Sequence, residues 1–234
     1  MSVACIIPVR GGSKGIKRKN LSPVVGDITL LDWTIDQALR CFDVNEVLVS
    51  TEDEELSAAA RKRGAQVVPR PNHLAADQST TASVVEELLE TLDPGASKFH
   101  QILILQVTSP LRQDDDIADA RALIDSGRFD SVISGFEVKE HHPAKMYFMD
   151  GSLARSVSPE FETARRQDLP PVCRRNGAIF WTTRDWFAKT GTLWGGRTGL
   201  VAMPHERSVD IDAPEDLAAA RAYLRSKGKG SGCL

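Results

Sequence analysis

The chain has 234 residues, 41% of them hydrophobic and 26% charged, and a net charge of −3. This is the composition of an ordinary soluble globular protein able to bury a substantial core. It carries no apolar run near the roughly 20 residues of a membrane span, no signal-peptide pattern at its start, and no broad positive face of the kind that binds nucleic acid. The four cysteines (Cys5, Cys41, Cys173 and Cys233) are scattered without C-x-x-C spacing. That argues against zinc and a disulfide framework, and for a reducing, cytoplasmic setting.

In chain order, Val3–Val9 reads as a buried strand, Leu30–Cys41 as a helix and Glu46–Ser50 as a second strand. Asp53–Arg63 is predicted helical, with acids in its first turn and Gly64 as its stop. Gln66–Val68 is a short strand, and Thr81–Leu92 a helix that Ser79 or Thr80 can cap. Gln101–Val107 is the most continuous apolar run, which places it at the sheet centre. Asp114–Ser126 is a helix opened by three acids, followed by a strand at Ser131–Phe136. This β-α alternation predicts an α/β, doubly wound, mostly parallel sheet.

The pattern changes after about residue 137. Lys145–Met149, an Asp150-Gly151 turn and Leu153–Val157 read as a hairpin, inside an excursion spanning about 137–170. Such an excursion suits a partner contact and suggests a homodimer. Strands at Gly177–Thr182 and Gly199–Met203 and a helix at Pro214–Lys227 complete one domain over 1–227. Residues 228–234, rich in Gly, Ser and Lys, read as a flexible tail.

Polar groups gather where strands end, the rim at which open α/β sheets bind ligands. After the first strand come Arg10-Gly11-Gly12-Ser13-Lys14-Gly15 and then Lys17-Arg18-Lys19-Asn20. Glycines let backbone N–H groups approach an anion, and cations neutralise it, so a polyphosphate fits. The spacing is neither a Walker A loop nor G-x-G-x-x-G. Arg70 follows the third strand, and Gln106 with Thr108-Ser109-Pro110-Leu111-Arg112 follows the central one. Asp210 and Asp212, two apart in an extended segment, share a side. They suit a hard cation such as Mg²⁺; equally, Asp212 with Glu215 and Pro214 reads as a helix cap. Arg165, Arg166, Arg174 and Arg175 form a basic cluster fit for a planar carboxylate. His141 and His142 read as turn residues, and Asp114-Asp115-Asp116 as a dipole-stabilised helix start.

Taken together, Ile7-Pro8-Val9-Arg10-Gly11-Gly12-Ser13-Lys14-Gly15-Ile16 with Lys19-Asn20, the run Leu105–Arg112, Arg174-Arg175-Asn176-Gly177-Ala178-Ile179 and Asp210-Ile211-Asp212 resemble the CMP-sialic acid synthetases (acylneuraminate cytidylyltransferases), in the same order. The match spans residues 3 to about 217. Phe180 stands where that family commonly has Tyr, Val107 where it has Pro, and Val9 where it has Ala.

The resemblance implies a Rossmann-type fold like that of the nucleotide-diphospho-sugar transferases, and a homodimer whose hairpin reaches the neighbouring site. It implies that CTP and a nine-carbon keto-sugar acid yield a CMP-sugar and pyrophosphate, with Mg²⁺ as cofactor. By the same resemblance, Arg10, Lys14 and Lys19 hold the triphosphate, on the loop of Gly11, Gly12 and Ser13. Asn20, Arg70, Thr81 and Gln106 contact the cytidine portion. Asp210 and Asp212 bind the metal, with Arg10, Lys19 and Asp212 at the reacting centre. Lys145, Arg166, Arg174, Asn176 and Phe180 face the sugar. Alternatives are a cytidylyl- or guanylyltransferase for another keto-sugar acid (legionaminic, pseudaminic or deaminated neuraminic acid, or an eight-carbon acid) and a non-catalytic nucleotide-binding module.

Overall fold

Side chains of β1 (Val3–Pro8) alternate between two apolar layers: Val3, Cys5 and Ile7 enter one, Ala4 and Ile6 the other. A strand buried on both faces needs helices on both sides, and the chain supplies them. The computed structural model describes residues 1–13, 15–76 and 78–228. Lys14 and the tail residues 229–234 lie outside the described residues.

After β1 a small hairpin forms from β2 (Pro23–Val25) and β3 (Ile28–Thr29), and α1 (Leu30–Cys41) follows. Thr29 and Asp32 form a reciprocal capping box that starts α1. Next come β4 (Val47–Thr51), α2 (Glu54–Lys62) capped by Asp53, and β5 (Gln66–Pro69). Thr80 caps α3 (Thr81–Leu92), which leads to β6 (Gln101–Leu105), α4 (Asp114–Asp125) and β7 (Ser131–Glu137). The excursion holds β8 (Tyr147–Asp150) and β9 (Leu153–Ser156), which among the described residues pair only with each other. The chain closes with β10 (Cys173–Thr183), α5 (Arg184–Thr190), β11 (Thr198–Ala202) and α6 (Pro214–Gly228).

The seven-stranded sheet runs β11-β7-β10-β6-β1-β4-β5, so β6 is central, as its apolar run predicts. All neighbours pair in parallel except β10, which is antiparallel to both β6 and β7. Helices α1, α2, α4 and α6 cover one face and α3 and α5 the other. The fold class is therefore the α/β, mostly parallel, doubly wound one expected.

Three details depart from the sequence reading. The strand expected at Gly177–Thr182 begins earlier, at Cys173, because its first residues extend past the end of β6 with exposed polar side chains. Helix α5 and the β2–β3 hairpin are additional elements. The hairpin strands of the excursion are shorter than expected, and every residue of β8 is exposed.

Because β10 runs against β6, its first residues rise beside the C-terminal end of β6, close to Gln106. One edge of the sheet thus gathers the loop after β1, the ends of β4 and β5, the loop after β6 and the start of β10.

Candidate active site

The loop after β1 is bound down before any ligand arrives. Val9 donates its N–H to the Ser50 carbonyl (3.0 Å), and Gly11 donates to Glu52 Oε1 (2.8 Å). A Cβ at Gly11 would overlap the Asp53 carboxylate, so glycine lets the loop lie on the β4–α2 junction. Ser13 Oγ donates to the Ile16 carbonyl (2.6 Å) and accepts from the Lys19 N–H (3.2 Å). Asn20 Nδ2 donates to the Arg10 carbonyl (3.0 Å) and holds the two ends of the loop together.

Arg18 sits in the left-handed region at φ 54°, a conformation that costs energy outside glycine. Its guanidinium grips Asp53 with two bonds (2.5 and 2.9 Å) and also meets Glu55. The grip lowers the Asp53 carboxyl to about 2, the Arg18 hydrogen bond being the largest cause, with the Leu56 and Glu55 N–H groups adding.

Below the loop lies a cleft of about 510 Å³, lined by Arg10, Gly12, Ser13, Lys19, Asn20, Arg70, Thr81, Gln106 and Asp212, with Thr80 and Thr108. Arg70 is 9% exposed; its Nη2 donates to the Ser50 carbonyl (2.7 Å), and Glu52 lies 3.9 Å from Nη1. Burial lowers the Arg70 pKa, Glu52 opposes that shift, and Arg10 adds to it. The first turn of α3 opens on the same space, with Thr80 capping it at Ser83 N–H (3.1 Å). A cleft walled by cations and an exposed helix start favours an anionic ligand.

The far wall comes from the chain's other end. Ile211 N–H donates to the Thr108 carbonyl (2.8 Å), tying the Asp210–Asp212 segment to the loop after β6. Lys19 Nζ donates to Asp212 Oδ1 (3.1 Å) and to the Ile211 carbonyl. A Cβ at Gly15 would overlap the Asp212 carbonyl, so the glycine loop passes directly over this segment. Partial desolvation in the fold raises the Asp210 pKa; the Thr108 hydrogen bond opposes this, and the like charge of Asp212 adds to it. The helix-cap reading of Asp212 is corrected: Asp216 Oδ2 accepts from the N–H groups of Asp212 (3.0 Å) and Ala213 (2.8 Å).

Two oxygen-donor carboxylates whose charges oppose one another fit a divalent cation, which would relieve that repulsion. Among the described residues no cluster of three or more metal-ligating side chains occurs, so further ligands would come from phosphate or water.

Several residues expected at the site are placed elsewhere. Neither Gly11 nor Asp210 lines the cleft, although Asp212 does, and the Gly11 N–H is committed to Glu52. Lys145 Nζ donates to the carbonyls of Glu162 and Ala164 (3.3 Å each), and Arg166 Nη2 to that of Lys139 (3.1 Å), all within the excursion. Arg174 is exposed at the start of β10, above the rim. Asn176 is 7% exposed and its side chain bonds Ser134 (2.6 Å) and Ser208 (2.9 Å), a structural role. Phe180 points into the α3–α5 layer and packs on Trp194, with ring centroids 5.3 Å apart. Within one chain, then, the sugar-facing set is not brought to the cleft.

Glu52, one of the polar groups Ser50-Thr51-Glu52-Asp53 that follow the second strand at the rim, meets both Gly11 and Arg70. Its signal was its position at the C-terminal end of β4. The Arg18–Asp53 grip had no local signal at all.

The family model for cytidylyltransferases matches residues 4–176. The chain belongs to the cytidylyltransferase family. Within it, the chain is 33% identical over 226 residues to the N-acylneuraminate cytidylyltransferase of Streptococcus agalactiae serotype III (strain NEM316), covering 96% of this chain and 54% of that protein. The chain thus spans about half the length of that relative. It is 26% identical to the pseudaminic acid cytidylyltransferase of Campylobacter jejuni serotype O:2, over 96% of this chain and 97% of that protein. Among solved structures, a CMP:2-keto-3-deoxy-manno-octonic acid synthetase complexed with CTP superposes with a TM-score of 0.71 at 18% identity, covering 97% of this chain and all of that one. That likeness is one of fold.

Proposed function

We propose that this member of the cytidylyltransferase family transfers the cytidylyl group of CTP to a nine-carbon keto-sugar acid, releasing pyrophosphate. The observation that carries the reading is one cleft walled by Arg10, Lys19, Arg70, Gln106 and Asp212, contributed by segments from both ends of the chain. The relatives named for acylneuraminate and pseudaminic acid support a nonulosonic acid as acceptor.

The anomeric hydroxyl oxygen attacks the α-phosphorus in line. A new O–P bond forms, the Pα–O bond to the β-phosphate breaks, pyrophosphate leaves with that electron pair, and the hydroxyl proton passes to solvent. The protein's work is placement and charge neutralisation. Arg10 and Lys19 offset charge on the triphosphate, Gln106, Thr81, Arg70 and Asn20 seat the nucleoside, and Lys14 adds its charge to the same loop. Asp210 and Asp212 would hold Mg²⁺. When bound, that ion polarises phosphate oxygens and neutralises charge that develops on them.

The acceptor's carboxylate is assigned to Arg174 at the rim, with Lys145 and Arg166 reaching it from a second copy. The exposed apolar residues Phe148, Met149 and Leu153 on the excursion support a homodimer joined there. No described helix is long and apolar enough to cross a membrane; together with the free thiols of Cys5, Cys41 and Cys173, this supports action in the cytoplasm.

The test is pyrophosphate release across four nucleoside triphosphates and a panel of keto-sugar acids that includes neuraminic and pseudaminic types, with Mg²⁺ and with EDTA. Release confined to CTP with a nine-carbon acid, and abolished by EDTA, is expected. Binding of CTP without release from any acceptor would assign the chain to the non-catalytic reading.

A further inference from the structure

Arg112, in the run after β6, is a buried charge that the proposed reaction does not use. Its side chain is buried at 2% exposure, and its hydrogen bonds go to carbonyls. Nη1 donates to the Gln106 carbonyl (2.8 Å), the Ser109 carbonyl (3.1 Å) and the Ala178 carbonyl (3.2 Å). Nε and Nη2 are buried with no partner among the described residues. A guanidinium buried on such terms costs free energy, and burial lowers its pKa to about 10. For holding a turn alone, a neutral amide would serve at less cost.

The three carbonyls belong to two segments that meet where the Gln106 side chain lies against Gly177. Two belong to the turn that begins at Gln106, and the third follows Gly177 on β10. Gly177 has φ +78°, and a Cβ there would stand 2.8 Å from Gln106 Oε1. The Gln106 carboxamide therefore rests against bare backbone, where β10 bulges between Arg175 and Phe180. Arg112 ties both sides of that seat together.

We infer that Arg112 is a positioning residue for base selection, fixing the Gln106 carboxamide against Gly177 so that the cleft distinguishes a 4-amino from a 4-oxo pyrimidine. This rests on the cytidylyl-transfer reading. A carboxamide held in one orientation presents one donor–acceptor pattern, and a base with the wrong pattern leaves buried polar groups unpaired. A loosened carboxamide can turn and accept either base.

The experiment compares CTP with UTP in steady-state turnover for wild type, Arg112→Lys, Gly177→Ala, Gln106→Ala and the Arg112→Lys/Gln106→Ala double variant, each checked for cooperative melting. Wild type should prefer CTP. Arg112→Lys should cut the CTP:UTP ratio of kcat/KM by about tenfold or more. In the Gln106→Ala background the same change should alter the ratio less than about twofold, because the group it acts through is gone. Gly177→Ala, which crowds the carboxamide without touching the buried charge, should lower the ratio too.

Folded variants that keep the wild-type ratio overturn the inference. So does loss of cooperative melting in both Arg112→Lys and Gly177→Ala, which would make the pair a requirement of the core. A wild type that turns over neither CTP nor UTP overturns the cytidylyl-transfer reading, and this inference with it. A discriminating wild type beside an equally discriminating Arg112→Lys overturns this inference alone.

Discussion

Lys19 donates to Asp212 across 193 positions of sequence, at 3.1 Å, and its ammonium also meets the neighbouring Ile211 carbonyl. The bond joins the glycine loop to the segment before α6 and closes the cleft. Lys19 is thereby held beside the carboxylate proposed to take the metal, where an ammonium and a divalent cation can share one triphosphate. Replacing Lys19 by Ala should reduce turnover about 10²- to 10³-fold, the scale of losing one preorganised transition-state contact. Arg10→Ala should act similarly. Wild-type turnover in either variant would remove that residue from the reacting centre.

Asp212 and Asp216 are separable by experiment, because the helix-capping bonds belong to Asp216. Asp212→Asn should raise the Mg²⁺ concentration for half-maximal activity about tenfold or more while leaving the melting temperature close to wild type. Asp216→Asn should do the reverse, with a stability loss of about 1 kcal/mol. Titration of activity against Mg²⁺, paired with thermal melting, checks both. An Asp212→Asn protein with unchanged Mg²⁺ dependence would take the metal away from this pair.

Much of this arrangement was legible in the sequence where periodicity or burial is local. The alternation of Val3, Cys5 and Ile7 with Ala4 and Ile6, and the run Gln101–Leu105, place two central strands without further help. Thr80 ahead of Thr81 and Asp53 ahead of Glu54 mark helix starts by their side-chain chemistry. The start of β10 was not legible, because Arg174 and Arg175 extend beyond β6, pair only with β7 among the described residues and carry no apolar alternation. Nor was α5, a seven-residue helix whose signals are a Thr183 cap and the left-handed Gly191. At the site, glycine and cation density identified the loop after β1, but Arg18 with Asp53 and Lys19 with Asp212 are tertiary pairings. No spacing in the chain encodes them.

The Arg18–Asp53 grip predicts a pH-dependent stability. The Asp53 carboxyl lies at about 2 in the folded protein against an ordinary 3.8, so folding favours its charged form. The stabilisation is complete above about pH 4 and is lost as pH falls through about 2. Arg18→Met should lower the melting temperature by about 2–4 °C at pH 7, equivalent to roughly 1 kcal/mol. That gap should close between pH 4 and pH 2. A gap that persists at pH 2 would mean that packing of the Arg18 side chain, and not its charge, carries the effect.

Gly15 offers a test of loop placement independent of charge. A methyl at this position would overlap the Asp212 carbonyl, and backbone on both sides leaves no flexible side chain to give way. Gly15→Ala should displace the loop, raising KM for CTP and lowering kcat together, about tenfold or more in kcat/KM. Gly95→Ala, away from the cleft, is the control, since a Cβ there meets nothing closer than Ser97 Oγ at 3.8 Å. Equal behaviour of the two variants would show that the loop lies elsewhere during turnover.

The excursion carries the last test. Phe148 is 59% exposed, Met149 86% and Leu153 59%, on a ribbon paired with no strand of the main sheet. A two-stranded ribbon with apolar side chains in water is poorly stable alone, and covering it with a second copy would remove that cost. Phe148→Glu with Met149→Glu should convert a dimer to a monomer in sedimentation velocity. The cleft's own residues should still bind CTP in that monomer, whereas KM for the sugar acid should rise as Lys145 and Arg166 are withdrawn. A wild type that sediments as a monomer would end the dimer proposal. A dimer that survives the double substitution with its sugar KM unchanged would place the interface on another face.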